Sequence, residues 1–126
     1  MQPKIVKADS LVEAQTYERC SIAENYSAPD ISIARARVKP GETTVWHHLE
    51  GVQEVYLVTE GYGKVEVGSL KAEDVGKGDV VVIPPGVSQR IQLCIDIANI
   101  PECPEQAVDS SLFYNFSLDM AVVFTS

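Results

Sequence analysis

From Ile31 onward, short β-rich hydrophobic runs, "ISIARARV", "TVWHH", "VQEVYLVTE", "KVEV" and "DVVVI", alternate with polar, glycine and proline punctuation at "KPGE", "LEG", "GYG" and "PPG". Runs of this length at this spacing predict an antiparallel sandwich or barrel and leave little room for helix. The paired glycines of "EGYGK" and "VGKGD" predict tight connections, because glycine supplies the positive φ that short hairpins require. In "DVVVIPPG", Val80 to Ile83 offer no polar face. Such a strand is expected to be covered on both sides. With no helix available, the expected cover is a second subunit, and Trp46, placed on the face opposite to His47, supports the same expectation.

The two ends of the chain carry less pattern. "SLVEAQTYE" begins with a serine able to cap a helix but is too short to decide between one helical turn and an entering strand. Residues 1–30 are therefore read as a strand-and-turn extension. After Leu93 the alternation weakens. Residues 94–111 are read as a long connection, and "LFYNF" and "AVVF" as closing strands or an arm.

The 126 residues suit a single domain with its own core. A formal charge of -8 with no basic cluster argues against nucleic acid as a partner. No apolar run approaches the roughly 18 residues that a membrane-spanning helix needs, and "MQPKIVKADS" lacks the apolar core of a signal peptide. A cytoplasmic location without membrane contact is the expectation. Cys20, Cys94 and Cys103 are odd in number and lack C-x-x-C pairing, which fits buried or inert thiols in a reducing compartment.

Both histidines of the chain lie side by side in "TVWHHL". If that run is a strand, Val45, His47 and Leu49 share one face while Thr44, Trp46 and His48 share the other. On the following run Glu54, Tyr56 and Val58 share a face, and a turn at "EGV" would fold that strand back beside His47. One imidazole and one carboxylate then converge inside the barrel. His48 joins them only if a bulge reverses the alternation. Arg35 and Arg37 share a strand face, where surface salt bridges compete with a carboxylate-binding role.

These residues resemble the motifs of the cupin family. The first motif, G-x5-H-x-H followed by a glutamate and a glycine, is met at Gly41, His47, Glu54 and Gly61, with Leu49 at the second histidine position. The second, G-x5-P-x-G-x2-H-x3-N, is met at Gly78, Pro84 and Gly86, with Gln89 in place of the histidine and Leu93 in place of the asparagine. The resemblance covers residues 31–93. It implies an all-β fold, a cupin-like double-stranded β-helix or jelly-roll barrel, expected as a homodimer with the site inside the barrel mouth.

In metal-binding cupins the two motifs supply three histidines and one glutamate to iron, manganese, nickel or zinc. Carried over by position, the metal candidates here are His47, Glu54 and Gln89, with His48 as a remote addition. An imidazole and a carboxylate suit such ions, a neutral amide oxygen binds them poorly, and leucine cannot bind them at all. A divalent ion is therefore expected to be held weakly or not at all. His47, Glu54 and Tyr56 are the candidate acid–base or hydrogen-bonding residues toward a small polar or aromatic molecule. Two readings stay open: a small-molecule cupin, including a metal-assisted enzyme such as a dioxygenase or isomerase, and a metal-free dimeric binding or structural and regulatory module without catalysis.

Overall fold

The computed structural model describes residues 2–16, 20–39, 42–93 and 118–125. Among the described residues a short 3-10 turn at Ala8–Ser10 precedes nine strands: β1 (Ala14–Gln15), β2 (Ser21–Ser27), β3 (Ile31–Val38), β4 (Gln53–Glu60), β5 (Tyr62–Val67), β6 (Glu73–Gly76), β7 (Val80–Ile83), β8 (Gln89–Leu93) and β9 (Leu118–Thr125). They form a six-stranded sheet, ordered β1-β2-β3-β9-β4-β7, and a three-stranded sheet, ordered β6-β5-β8. All pairings are antiparallel. The two sheets enclose one core in a jelly-roll barrel, as the resemblance implies. Among the described residues no helix is long and apolar enough to cross a membrane.

Strands β3, β4, β5 and β7 fall where the alternation predicts them. Strand β2 escapes the pattern because "SIAENYS" mixes small and polar residues, and the four-residue β6 is too short to carry a period. Within "SLVEAQTYE" the strand alternative occurs, as the two-residue β1, whereas the 3-10 turn ends at Ser10, where the run begins, and is flanked by Lys7 and not capped by Ser10. The 94–111 connection and the "LFYNF" run lie outside the described residues, as do Cys94, Cys103 and Gly41.

The "AVVF" run is a strand, one of the two alternatives read from the sequence, and not an arm. It lies in β9, between β3 and β4, and pairs along its length with both. Its Leu118, Met120 and Val122 point inward and are at most 2% exposed. With Val38, Val58 and Ile91 they form the centre of the core.

Gly61 has φ +87 at the β4–β5 turn, as the hairpin expectation requires. Gly63 is different. It has no positive φ, and a Cβ there would lie 2.7 Å from Leu118 Cδ2 and 2.8 Å from the Gln92 carbonyl oxygen. This glycine is required by the close approach of β5 to its neighbours.

Strand β7 alternates, with Val81 and Ile83 inside and Val80 and Val82 outside. Outward-facing residues of the large sheet line up in cross-strand rows, Ile33–Val123–Val55–Val82 and Arg35–Ala121–Leu57–Val80. Val80, Val82 and Leu57 are 56%, 52% and 42% exposed, so the second face that the sequence leaves apolar is uncovered in the single chain. Trp46 does not belong to this surface. It lies beside Arg90 of β8, against the small sheet.

Candidate functional site in the barrel interior

Strand β4 carries Glu54, Tyr56 and Val58 into the barrel at 5%, 5% and 1% exposure, as its alternation predicts. From the facing sheet, β8 turns Gln89 and Ile91 inward, with Gln89 fully buried. The third contributor, Thr43 to His47, is not the regular strand expected. It pairs with β8 through two isolated bridges, Thr43 to Gln92 and His47 to Gln89. Four steps along one segment match three along the other, so one extra residue is accommodated between the bridges, as in a β-bulge.

That extra residue corrects the face assignment. Thr44, expected to point outward with Trp46, is 6% exposed and lies inside together with His47. Its hydroxyl accepts the Ile91 N–H at 2.8 Å. His48 stays outside, its Nε2 3.1 Å from the exposed Glu50 carboxylate. A distortion of the alternation does occur, but it lies before His47 and brings in a threonine; His48 is not part of the interior centre.

The His47–Gln89 bridge sets the heart of the site. The two residues exchange both backbone hydrogen bonds, His47 N–H to Gln89 O at 3.2 Å and Gln89 N–H to His47 O at 2.9 Å. Residues opposed in this way hold their side chains on the same face. His47 Nδ1 lies 2.7 Å from the Val45 carbonyl oxygen, which can only accept, so Nδ1 carries the hydrogen. The neutral ring then presents its Nε2 lone pair inward, where Gln89 Nε2 donates to it at 2.7 Å. The same amide nitrogen lies 3.3 Å from Glu54 Oε1 and beside the Tyr56 hydroxyl, so its two hydrogens are shared among three acceptors. Gln89 Oε1 is buried and has no hydrogen-bond partner among the described residues.

A cavity of about 40 Å3 adjoins this centre, lined by Cys20, Thr44, His47, Glu54, Tyr56 and Met120 among others. Cys20 is buried, its Sγ 3.6 Å from the Thr16 hydroxyl. Its place in the wall of the interior chamber was not legible in the sequence, because nothing in "ERCSIAENYS" marks it as near a site. Thr44 was missed for the reason given above.

The donor set does not fit a resident metal ion. Among the described residues no group of three histidine, cysteine, aspartate or glutamate side chains could hold a metal. The lone pair of His47 that would bind an ion is taken by an amide N–H. Gln89 turns its nitrogen, which cannot ligate, toward His47 and Glu54. Leu49 offers no donor.

Arg35 and Arg37 lie outside the barrel. Arg37 bonds Asp119 Oδ1 at 3.0 Å and Glu13 at 3.5 Å, and Arg35 is 3.9 Å from Glu13. The Asp119 hydrogen bond raises the Arg37 pKa above its ordinary value, against a smaller opposing effect of burial. Stabilisation from this raised pKa is fully present below the unfolded value and is lost only as pH rises through the folded one. It is therefore constant across neutral pH.

The sequence profile of the Cupin domain matches residues 34–92, the span that contains His47, Glu54 and Gln89. The chain is also 30% identical over 101 residues to the uncharacterized protein MJ1618 of Methanocaldococcus jannaschii, an alignment covering 80% of this chain and 74% of that one. The chain belongs to the cupin family. Solved structures support the fold at low identity. KdgF from Halomonas sp. superposes with a TM-score of 0.74 at 12% identity, covering 98% of this chain and 94% of that one. A predicted oxalate decarboxylase from Thermotoga maritima gives 0.73 at 17%, covering 97% and 98%. The cupin domain of Schizosaccharomyces pombe Cnp3 gives 0.69 at 11%, covering 95% and 72%. At these identities the likeness concerns the barrel and not the chemistry inside it.

Proposed function

We propose that this cupin binds a polar molecule of only a few heavy atoms inside its barrel, without a tightly held metal ion. The observation that carries the reading is the buried Gln89 amide. Its nitrogen gathers His47, Glu54 and Tyr56 around one point, while its oxygen lacks a partner. An unpaired buried acceptor costs about 1–3 kcal/mol, and the three side chains gathered by the amide nitrogen line the adjoining chamber. A cavity of about 40 Å3 holds a few heavy atoms. It is well below the ~150 Å3 that accommodates a benzene ring, so the polar ligand is favoured over the aromatic one. His47 Nε2 and the Glu54 carboxylate are the groups able to exchange a proton with such a ligand, and the Tyr56 hydroxyl can orient it.

The test uses untagged, metal-stripped protein with formate, bicarbonate, acetate and urea as probes. At least one is expected to raise the melting temperature saturably, and His47→Ala is expected to abolish the rise. The absence of a shift with every probe would refute the binding. Metal near one ion per chain in freshly purified protein, lost in His47→Ala, would refute the metal-free reading.

The outer face of the large sheet supports a second reading, that of assembly, with a second copy of this chain as the occupant. Its apolar rows resemble a core cut in half, as homodimer interfaces do. The Arg35 and Arg37 charges beside the patch are paired with Glu13 and Asp119 of the same chain, leaving an uncharged centre on a molecule of net charge -8. Light scattering should give twice the chain mass for the wild type and the single-chain mass for Val82→Lys. The charge replaces a side chain already 52% exposed, so the monomer should keep its fold.

A further inference from the structure

The reverse side of the His47–Gln89 pair carries a different arrangement. Trp46 and Arg90, the next residue on each segment, meet outside the barrel with the guanidinium carbon 4.7 Å from the indole centroid. Arg90 is opposed across the small sheet by Glu66, and its Nε donates to Glu66 Oε1 at 2.8 Å. Two residues along β8, Gln92 is bridged to Thr43. Together these five residues border a groove of about 400 Å3, separate from the interior chamber and within the range of small-ligand sites.

The polar groups of this groove are largely unspent. Among the described residues, the Arg90 guanidinium has Glu66 as its hydrogen-bonding partner through Nε, leaving its terminal N–H groups available. The Gln92 amide, the Thr43 hydroxyl and the Trp46 indole N–H have no side-chain hydrogen bond there. The indole is 42% exposed even with Arg90 over one face. The groove thus offers an apolar ring surface beside several donors and acceptors.

Charge narrows the class of ligand. Arg90 and Glu66 neutralise each other, so the groove selects neither sign. A net charge of -8 disfavours anions further. A neutral ring with one apolar C–H face and a rim of hydroxyl groups uses every available feature: the indole packs against the face, Arg90 and Trp46 donate, Glu66 accepts, and Gln92 and Thr43 do both. We propose that the outer face of the small sheet is a second binding site, for a neutral saccharide of one or two rings, independent of the barrel interior.

Trp46 is the chain's one tryptophan, so its fluorescence reports on this groove alone. Titration with maltose, cellobiose and methyl glucoside is expected to give a saturable change in emission for at least one of them, with glucuronate about tenfold weaker. Calorimetric affinity should fall by about tenfold in Glu66→Gln and in Gln92→Ala, with melting temperatures unchanged in both. No saturable change with any neutral saccharide up to about 100 mM would overturn the proposal. So would equal affinity in the wild type and both variants, or a response to glucuronate as strong as to the neutral sugars.

Discussion

The Gln89→His variant is expected to bind Zn2+ or Ni2+ about a hundredfold or more tightly than the wild type, because it supplies the ligand class that the interior centre lacks. His47 is already oriented as a ligating histidine would be, its Nδ1–H held by the Val45 carbonyl and its Nε2 lone pair facing inward. Gln89 stands directly opposite it in the bridged pair, and its amide nitrogen reaches both His47 Nε2 and Glu54 Oε1. An imidazole there would complete two histidines and one carboxylate, the facial set that holds divalent iron and related ions with positions left open. It would also remove the N–H that now occupies the His47 lone pair. Equilibrium dialysis with elemental analysis of both proteins at equal metal concentration gives the answer. Unchanged affinity would mean that the three side chains do not converge as described.

The Gly63→Ala variant is expected to lose about 3 kcal/mol of unfolding free energy, toward the upper end of overpacking costs. The new methyl group would meet Leu118, which is fully buried, and the carbonyl oxygen of Gln92, which belongs to the adjacent strand. A side chain in a filled core can move little, and the carbonyl can yield only if β8 shifts along with the Gln89 it carries. A control exists in Gly51, which has φ +69 and nothing within 4 Å of a built Cβ. Alanine there meets backbone strain alone, about 1 kcal/mol. Urea denaturation of the two variants separates the effects. A loss at Gly63 no larger than that at Gly51 would contradict the close approach.

Much of the centre was readable from spacing alone. Alternation along "QEVYLVTE" places Glu54, Tyr56 and Val58 on one face, because successive strand residues must point to opposite sides whatever the sheet does. Motif spacing then pairs His47 with Glu54 and Gln89, and all three do converge. The rule fails where local regularity fails. Between Thr43 and His47 the segment carries one residue more than β8 opposite it, so Thr44 turns inward against the period. Only the pairing partner fixes that count.

The sequence by itself determined the family, the barrel class, the inward carboxylate and the apolar outer face of β7, since each follows from residue type and from spacing along the chain. Tertiary structure alone decided that β9 runs through the middle of the large sheet, that Cys20 joins the chamber wall, and that Gly63 is needed for space. It also decided that the Gln89 amide donates to the His47 lone pair. The physical reason is common to these cases. A period states which side a residue takes relative to its neighbours, whereas a contact depends on which distant strand lies opposite and in what register.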